Sequence, residues 1–150
     1  MKTCLIVLSI VLIGAKVSFG NVKKNFHLIT SNKENWYRAL SHCIANGMRL
    51  ASVLSEEEND EILKQIRDSG TGVDFWLSGT RLGNNDNYYW MGHNEALNFT
   101  NWSDGEPNNA FGHESCVHIS YQNYKWNDLD CLFSAYFVCE EDSNEVHNIL

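Results

Sequence analysis

The chain has 150 residues, room for one domain, and is 43% hydrophobic, with five Trp, six Tyr and seven Phe to build a core. Nineteen acidic residues against eleven basic ones give a net charge of −8. That balance argues against nucleic acid or an anionic membrane surface as the partner.

Residues 1–20 read as a secretory signal: Lys2 supplies the positive start, Leu5 to Ile13 a short apolar run, and Ser18-Phe19-Gly20 small residues for cleavage. The run is too short to span a bilayer, and no later stretch is apolar enough to do so. The expectation is a secreted mature protein of residues 21–150 without membrane insertion. Lys2 and Lys16 leave with the signal, taking the net charge to −10. Cys4 leaves too, so four cysteines remain: Cys43, Cys116, Cys131 and Cys139. An even count in a secreted domain reads as two disulfides, with three connectivities open to them.

A first strand is expected over 26–30. Ser31-x-x-Glu34 has the form of a capping box, with Asn35 as the alternative cap, opening a helix that runs to about Asn46. Trp36, Ala39, Leu40 and Cys43 share one face of it, and Gly47 suits its stop. Residues 50–54 read as a short returning strand. A second helix starts near Ser55, its first turn carrying Glu56, Glu57 and Glu58, where carboxylates favour the helix dipole. Ile62, Leu63 and Ile66 form its buried stripe and Gly70 ends it. Val73 to Leu77 is a buried strand, 82–87 is turn chemistry, and Tyr88 to Met91 answers as the other arm of a hairpin. From Gly92 to about Glu114 the chain is long, polar and irregular, the signature of a functional loop. Strands are expected over 115–120 and 136–140, and the tail from Asp142 to Leu150 as loosely held. No repeat, collagen run or heptad neck is present.

The chemistry concentrates between Asn98 and Cys131. Glu106-Pro107-Asn108, then Glu114, then Trp126-Asn127-Asp128 offer three carboxylates and two amides. That mixture suits a hard cation taking six to eight oxygen ligands, so calcium before zinc or copper. Pro107, the one proline of the chain, allows a cis peptide that turns its flanking side chains toward one point. The bland alternative is a polar loop of solvated acids. Trp126 is read as core packing beneath the site rather than as a ligand contact.

These residues resemble the C-type lectin domains. Glu106-Pro107-Asn108 is similar to the family's mannose-type tripeptide, with Glu114 at the family's spacing after it. Trp126-Asn127-Asp128 resembles the second calcium-binding tripeptide, and Phe75 to Gly79 the central core strand. The resemblance runs from about Asn25 to Glu141. It implies an α+β fold of two helices, small antiparallel sheets and a long calcium-binding loop. It also implies the disulfides Cys43–Cys139 and Cys116–Cys131. The auxiliary calcium site of the family is eroded, with Asn109 and Ser115 where Asp is frequent.

What the resemblance implies is reversible glycan binding without catalysis. Glu106, Asn108, Glu114, Asn127 and Asp128 would hold calcium and sugar together. Two neighbouring sugar hydroxyls give lone pairs to calcium, donate to carboxylates and accept from amides. The Glu-Pro-Asn order implies mannose, fucose or N-acetylglucosamine. Galactose binding, or a lectin-like module that recognises protein with calcium serving structure alone, is the alternative. Phe111 and His113 lie between ligand positions as candidate sugar contacts. Partners would be glycans on cell-surface or microbial glycoconjugates, met by a monomer or a weak noncovalent homodimer.

Two further motifs stand in the same stretch. His113-Glu114 with His118 superficially resembles a zinc protease helix, but the spacing is one residue too long and the flanking residues favour a strand. Asn98-Phe99-Thr100 and Asn101-Trp102-Ser103 are both N-glycosylation sequons, and glycan is favoured at Asn98 over Asn101.

Overall fold

The computed structural model describes residues 23–83 and 87–143. Residues 1–22, 84–86 and 144–150 lie outside them, and with them the expected signal, the middle of the expected 82–87 turn and most of the expected tail. Eight strands and two helices follow in the order β1 (Lys24–Glu34), α1 (Trp36–Ala45), β2 (Arg49–Leu50), α2 (Glu56–Ser69), β3 (Phe75–Thr80), β4 (Tyr89–Trp90), β5 (Glu95–Ala96), β6 (Glu114–Ile119), β7 (Trp126–Asp130) and β8 (Ala135–Asp142). The architecture is α+β, as the sequence implies.

The first helix starts four residues later than the Ser31 capping box would place it, at the alternative cap. Asn35 is the N-cap, its side chain accepting from Arg38 N at 3.0 Å. Ser31 to Glu34 instead prolong β1, which shifts register between Ile29 and Glu34. β1 pairs with β8 from Lys24 to Ile29 and again at Glu34, opposite Ala135, so the Glu of the capping box is held in the strand. Trp36, Ala39 and Cys43 are buried, and Gly47 takes the left-handed conformation (φ +74°) just beyond the helix. In α2, Ser55 caps by accepting from Glu58 N, and Gly70 ends the helix at φ +61°.

β3 is the axis of the fold, with all six residues buried. It pairs in parallel with β8 on one side and antiparallel with β6 on the other, and its far end meets β4. The small sheets expected from sequence are therefore joined through β3. Residues 51–54 form no strand but wedge between layers, with Ala51 N donating to Val138 O and Ser78 N to Ala51 O. The core splits about β3 into two clusters. Phe75, Leu77, Trp90, Val117 and Trp126 pack with α2, and Trp36, Trp76, Phe137 and the cysteines pack with α1.

Both disulfides form as implied. Cys43–Cys139 ties α1 to β8 across 96 residues, and Cys116–Cys131 brackets the β6–β7 hairpin. Closing the longer loop contributes about 3–5 kcal/mol through the unfolded chain. The end of β8 is held more firmly than its composition suggests. Asp142 pairs with Arg49, and Ser143 N donates to Lys23 O at 2.8 Å.

Candidate calcium and sugar site

The β6–β7 hairpin presents the second tripeptide. Trp126-Asn127-Asp128 is strand, not loop, and lies opposite Ile119, His118 and Val117 of β6. Strand alternation sends Trp126 and Asp128 inward and Asn127 to the other face. Trp126 is fully buried, edge-on to Trp90 at 5.4 Å, Phe99 at 5.7 Å and Trp102 at 5.9 Å. It is the floor under the site, as expected. Asp128 is also fully buried, and a carboxylate there needs partners.

Those partners come from the loop that carries the first tripeptide. The Glu106–Pro107 peptide is cis. Asn108 N donates to Glu106 Oε2 at 3.1 Å and to Asp128 Oδ1 at 3.0 Å. Asn108 Nδ2 donates to Glu106 Oε1 at 2.7 Å, and Asn109 N to Asp128 Oδ2 at 2.9 Å. A short 3-10 turn, Ala110–Gly112, closes back on Glu114: Ala110 N donates to Glu114 Oε2 at 2.8 Å, and Glu114 N to Asn109 Oδ1 at 3.0 Å. Glu106, Asn108, Glu114 and Asp128 thus belong to one hydrogen-bonded network that ties the loop to β6 and β7. Asn127 stands beside Asp128 and bonds on its other side to His118, Nδ2 to Nε2 at 3.1 Å.

The electrostatics of this loop are those of crowded acids. Burial and the facing Asp128 carboxyl raise Glu106 above the ordinary carboxylate value, against the pull of the Asn108 amide. Glu114 is raised by burial, with Asp128 and Asp130 adding to it against the Ala110 amide. A bound cation would relieve this repulsion. Among the described residues no three His, Cys, Asp or Glu side chains come together as a ready metal cluster. The candidate set leans equally on amide oxygens. Asn108 and Asn127 give their amide nitrogens to Glu106 and His118, which turns each amide oxygen the other way. Carboxylates mixed with amide oxygens are calcium chemistry, and the residues fit it.

Tyr88 was not singled out by sequence reasoning, yet its hydroxyl donates to Asp128 Oδ2 at 2.8 Å. Burial and the Asp128 carboxylate raise its pKa well above the ordinary phenol, with Arg81 pulling the other way. His118, whose spacing to His113 does not suit a zinc helix, instead bonds Asn127 across the strands, a contact not evident from sequence. A cross-strand register for β6 and β7 would have revealed it. His113 is exposed and His118 is buried on strand β6, so the two do not form a metal pair.

Phe111 is 96% exposed and held at φ +57° on the turn between ligand residues, with His113 exposed beside it. Asn98 is exposed, whereas Asn101 is half-buried and turns its Nδ2 to Asn59 Oδ1 at 3.3 Å and Tyr124 O at 3.4 Å. A groove of about 850 Å³ lies along Leu82, Tyr89, Met91, Leu97 and Trp102. Tyr88 is the lining residue that also reaches Asp128, so the ligand loop borders this groove rather than filling it.

Residues 32–141 match the lectin C-type domain. The chain is 35% identical over 130 residues to the C-type lectin mosGCTL-7 of Aedes aegypti, covering 81% of this chain and 85% of that one. It is 27% identical to perlucin of Haliotis laevigata, covering 89% and 90%. Its fold superposes with a TM-score of 0.72 on the cow carbohydrate-recognition domain of CD23, solved in the presence of a GlcNAc2Man3 oligosaccharide. That pair is 30% identical, covering 81% of this chain and 89% of the other. The chain therefore belongs to the C-type lectin family and is a carbohydrate-binding domain of that type.

Proposed function

We propose that the protein is a secreted, calcium-dependent lectin of the mannose, fucose and N-acetylglucosamine type that performs no chemistry. The observation that carries the reading is the Glu106–Asp128 confrontation. Both carboxylates accept from the one Asn108 N–H, and the neighbouring side-chain amide nitrogens of Asn108 and Asn127 are already engaged by protein partners. Glu106, Asn108, Glu114, Asn127 and Asp128 would hold the ion. Bound calcium supplies open coordination positions for the lone pairs of two adjacent sugar hydroxyls.

The chain's own residues then complete each hydroxyl. Glu106 and Glu114 accept the hydroxyl protons, while Asn108 and Asn127 donate from their amide nitrogens. An amide NH₂ carries two hydrogens, so the bonds to Glu106 and His118 each leave one for sugar. Acceptor before donor across Pro107 favours an equatorial diol. The oligosaccharide accompanying the CD23 domain contains both N-acetylglucosamine and mannose, which supports the same sugar class for this chain.

A shallow site binds a monosaccharide at about millimolar, so multivalent targets would supply avidity. Cell-surface or microbial glycans provide such targets. The test is a glycan array with residues 21–150, run in calcium and again in EDTA. Calcium-dependent signal on mannose, fucose or N-acetylglucosamine termini is expected. Signal confined to galactosides would overturn the diol argument, and a folded, calcium-loaded protein silent on every glycan would give the lead to protein recognition.

A further inference from the structure

The geometry points to His118 as a positioning residue that fixes which way the Asn127 amide faces, and so whether Asn127 offers an oxygen to the ion and a nitrogen to the sugar. This inference rests on the proposed function, because it assigns the role of a residue behind that same site.

His118 is 3% exposed and sits on β6 directly across from Asn127 on β7. Its ring is wedged edge-on to Trp76 at 5.8 Å, so it has little room to turn. One ring nitrogen, Nε2, lies 3.1 Å from Asn127 Nδ2. The other, Nδ1, is buried, has no hydrogen-bond partner, and faces Asp74 Oδ1 at 3.8 Å. Asp74 is itself held, its Oδ1 accepting from Tyr121 N at 3.0 Å.

These distances decide the tautomer. An unprotonated Nδ1 would set its lone pair against the Asp74 carboxylate in a buried setting, where repulsion is weakly screened. A proton on Nδ1 converts that repulsion to attraction. Almost complete burial of the ring disfavours its charged form. A neutral ring protonated at Nδ1 leaves Nε2 as an acceptor. An acceptor at Nε2 requires the Asn127 nitrogen, not its oxygen, on the His118 side. The oxygen is thereby turned away from β6. With the opposite tautomer the amide would flip and its oxygen would be spent on His118. The chain Asp74, His118, Asn127 thus transmits an orientation from the β3 entry to the ligand set. Outer partners of this kind commonly govern metal affinity by about 10–100-fold.

The test separates positioning from packing with three variants. Gln can place an acceptor where Nε2 stands, Asn reaches only the Nδ1 position, and Leu fills the space without polarity. Calcium affinity by titration calorimetry, mannose affinity at saturating calcium and the melting temperature in EDTA are read for each. His118→Gln is expected to stay within about threefold of wild type for calcium, and His118→Asn and His118→Leu to lose about 10-fold or more. The melting temperature in EDTA should not follow that order, since Leu also removes a buried unpaired nitrogen. Equal calcium affinity in wild type and His118→Leu overturns the positioning role. So do equal losses in Gln and Leu, or losses that track melting temperature. Should a variant fail to fold, nitrogen NMR of the wild type decides: an Nε2-protonated ring refutes the inference. A folded wild type that binds no calcium at all sinks the proposed function first, and His118 with it.

Discussion

The Tyr88 hydroxyl donates to Asp128 Oδ2 at 2.8 Å, fastening the residue before β4 to a carboxylate buried at the centre of the ligand loop. Asp128 already accepts from Asn108 N and Asn109 N, so three donors from two segments define one carboxylate's orientation. Tyr88→Phe removes one of these donors while keeping the ring that packs edge-on to Trp102 at 5.2 Å. The loss should cost about 1.5–3 kcal/mol of stability, the range for a hydrogen bond to a charged group. Calcium affinity should fall about 10-fold, as for other outer-sphere partners. Chemical denaturation and calcium titration measure the two effects. An unchanged calcium affinity would mean that the backbone amides alone orient Asp128.

Phe111 combines two costs that folding alone does not explain. Its ring is almost wholly in solvent, and its φ of +57° is a region that bulky residues avoid. Phe111→Gly should therefore leave stability unchanged or raise it by up to about 1 kcal/mol by relieving the backbone. Phe111→Ala, which keeps the strain and removes the ring, should weaken oligosaccharide binding about 3–10-fold while calcium affinity holds, because an aromatic face packs on sugar C–H groups. Equal affinities across the three proteins would make the ring a bystander.

The two sequons differ in geometry more than in sequence. Asn98 is exposed, but a glycan on Asn101 Nδ2 would displace its bonds to the buried Asn59 and to Tyr124 O. Protein produced through a secretory pathway should carry a glycan that Asn98→Gln removes and Asn101→Gln leaves. Asn101→Gln should instead cost about 1 kcal/mol in stability. Intact mass before and after glycan removal checks the first, and denaturation the second. A glycan surviving Asn98→Gln would reverse the assignment.

The helices were legible because their signals are local: Ser55 with three Glu, the stripe through Ile66, and Gly70 all lie within one short stretch. The boundary of β1 was not, because Ser31 to Glu34 carry a helix-opening pattern that pairing with β8 overrules. At the site, Glu106, Asn108, Glu114, Asn127 and Asp128 could be named from residue type and spacing. Tyr88 and His118 could not, since each reaches the loop across a register that only the folded sheet defines. The same holds for Glu140. A buried carboxylate on β8 gave no hint that Lys24, Arg49, His93 and Ser52 N would surround it.

The raised carboxyls make calcium's effect on stability depend on pH with a definite sign. Glu106 and Glu114 lie above the ordinary carboxylate value in the ion-free fold, Glu106 through burial and Asp128, and Glu114 through burial and its acidic neighbours. A carboxyl raised on folding holds its proton more tightly in the folded state than in the unfolded one. Its contribution is fully present below the unfolded value of about 4.3 and is lost as pH rises through the folded value. In EDTA these two groups therefore weaken the fold as pH rises from about 4.3 through their raised folded values. Calcium binds their ionised forms and reverses the effect, since protons and metal compete for the same oxygens. The gap between melting temperatures in calcium and in EDTA should be small near pH 4 and widen toward pH 7. Glu106→Gln should narrow the gap at pH 7 and flatten the part of the EDTA profile that Glu106 supplies. Thermal scans at half-unit steps from pH 4 to 8 measure it, and a gap constant across that range would remove Glu106 and Glu114 from the calcium set.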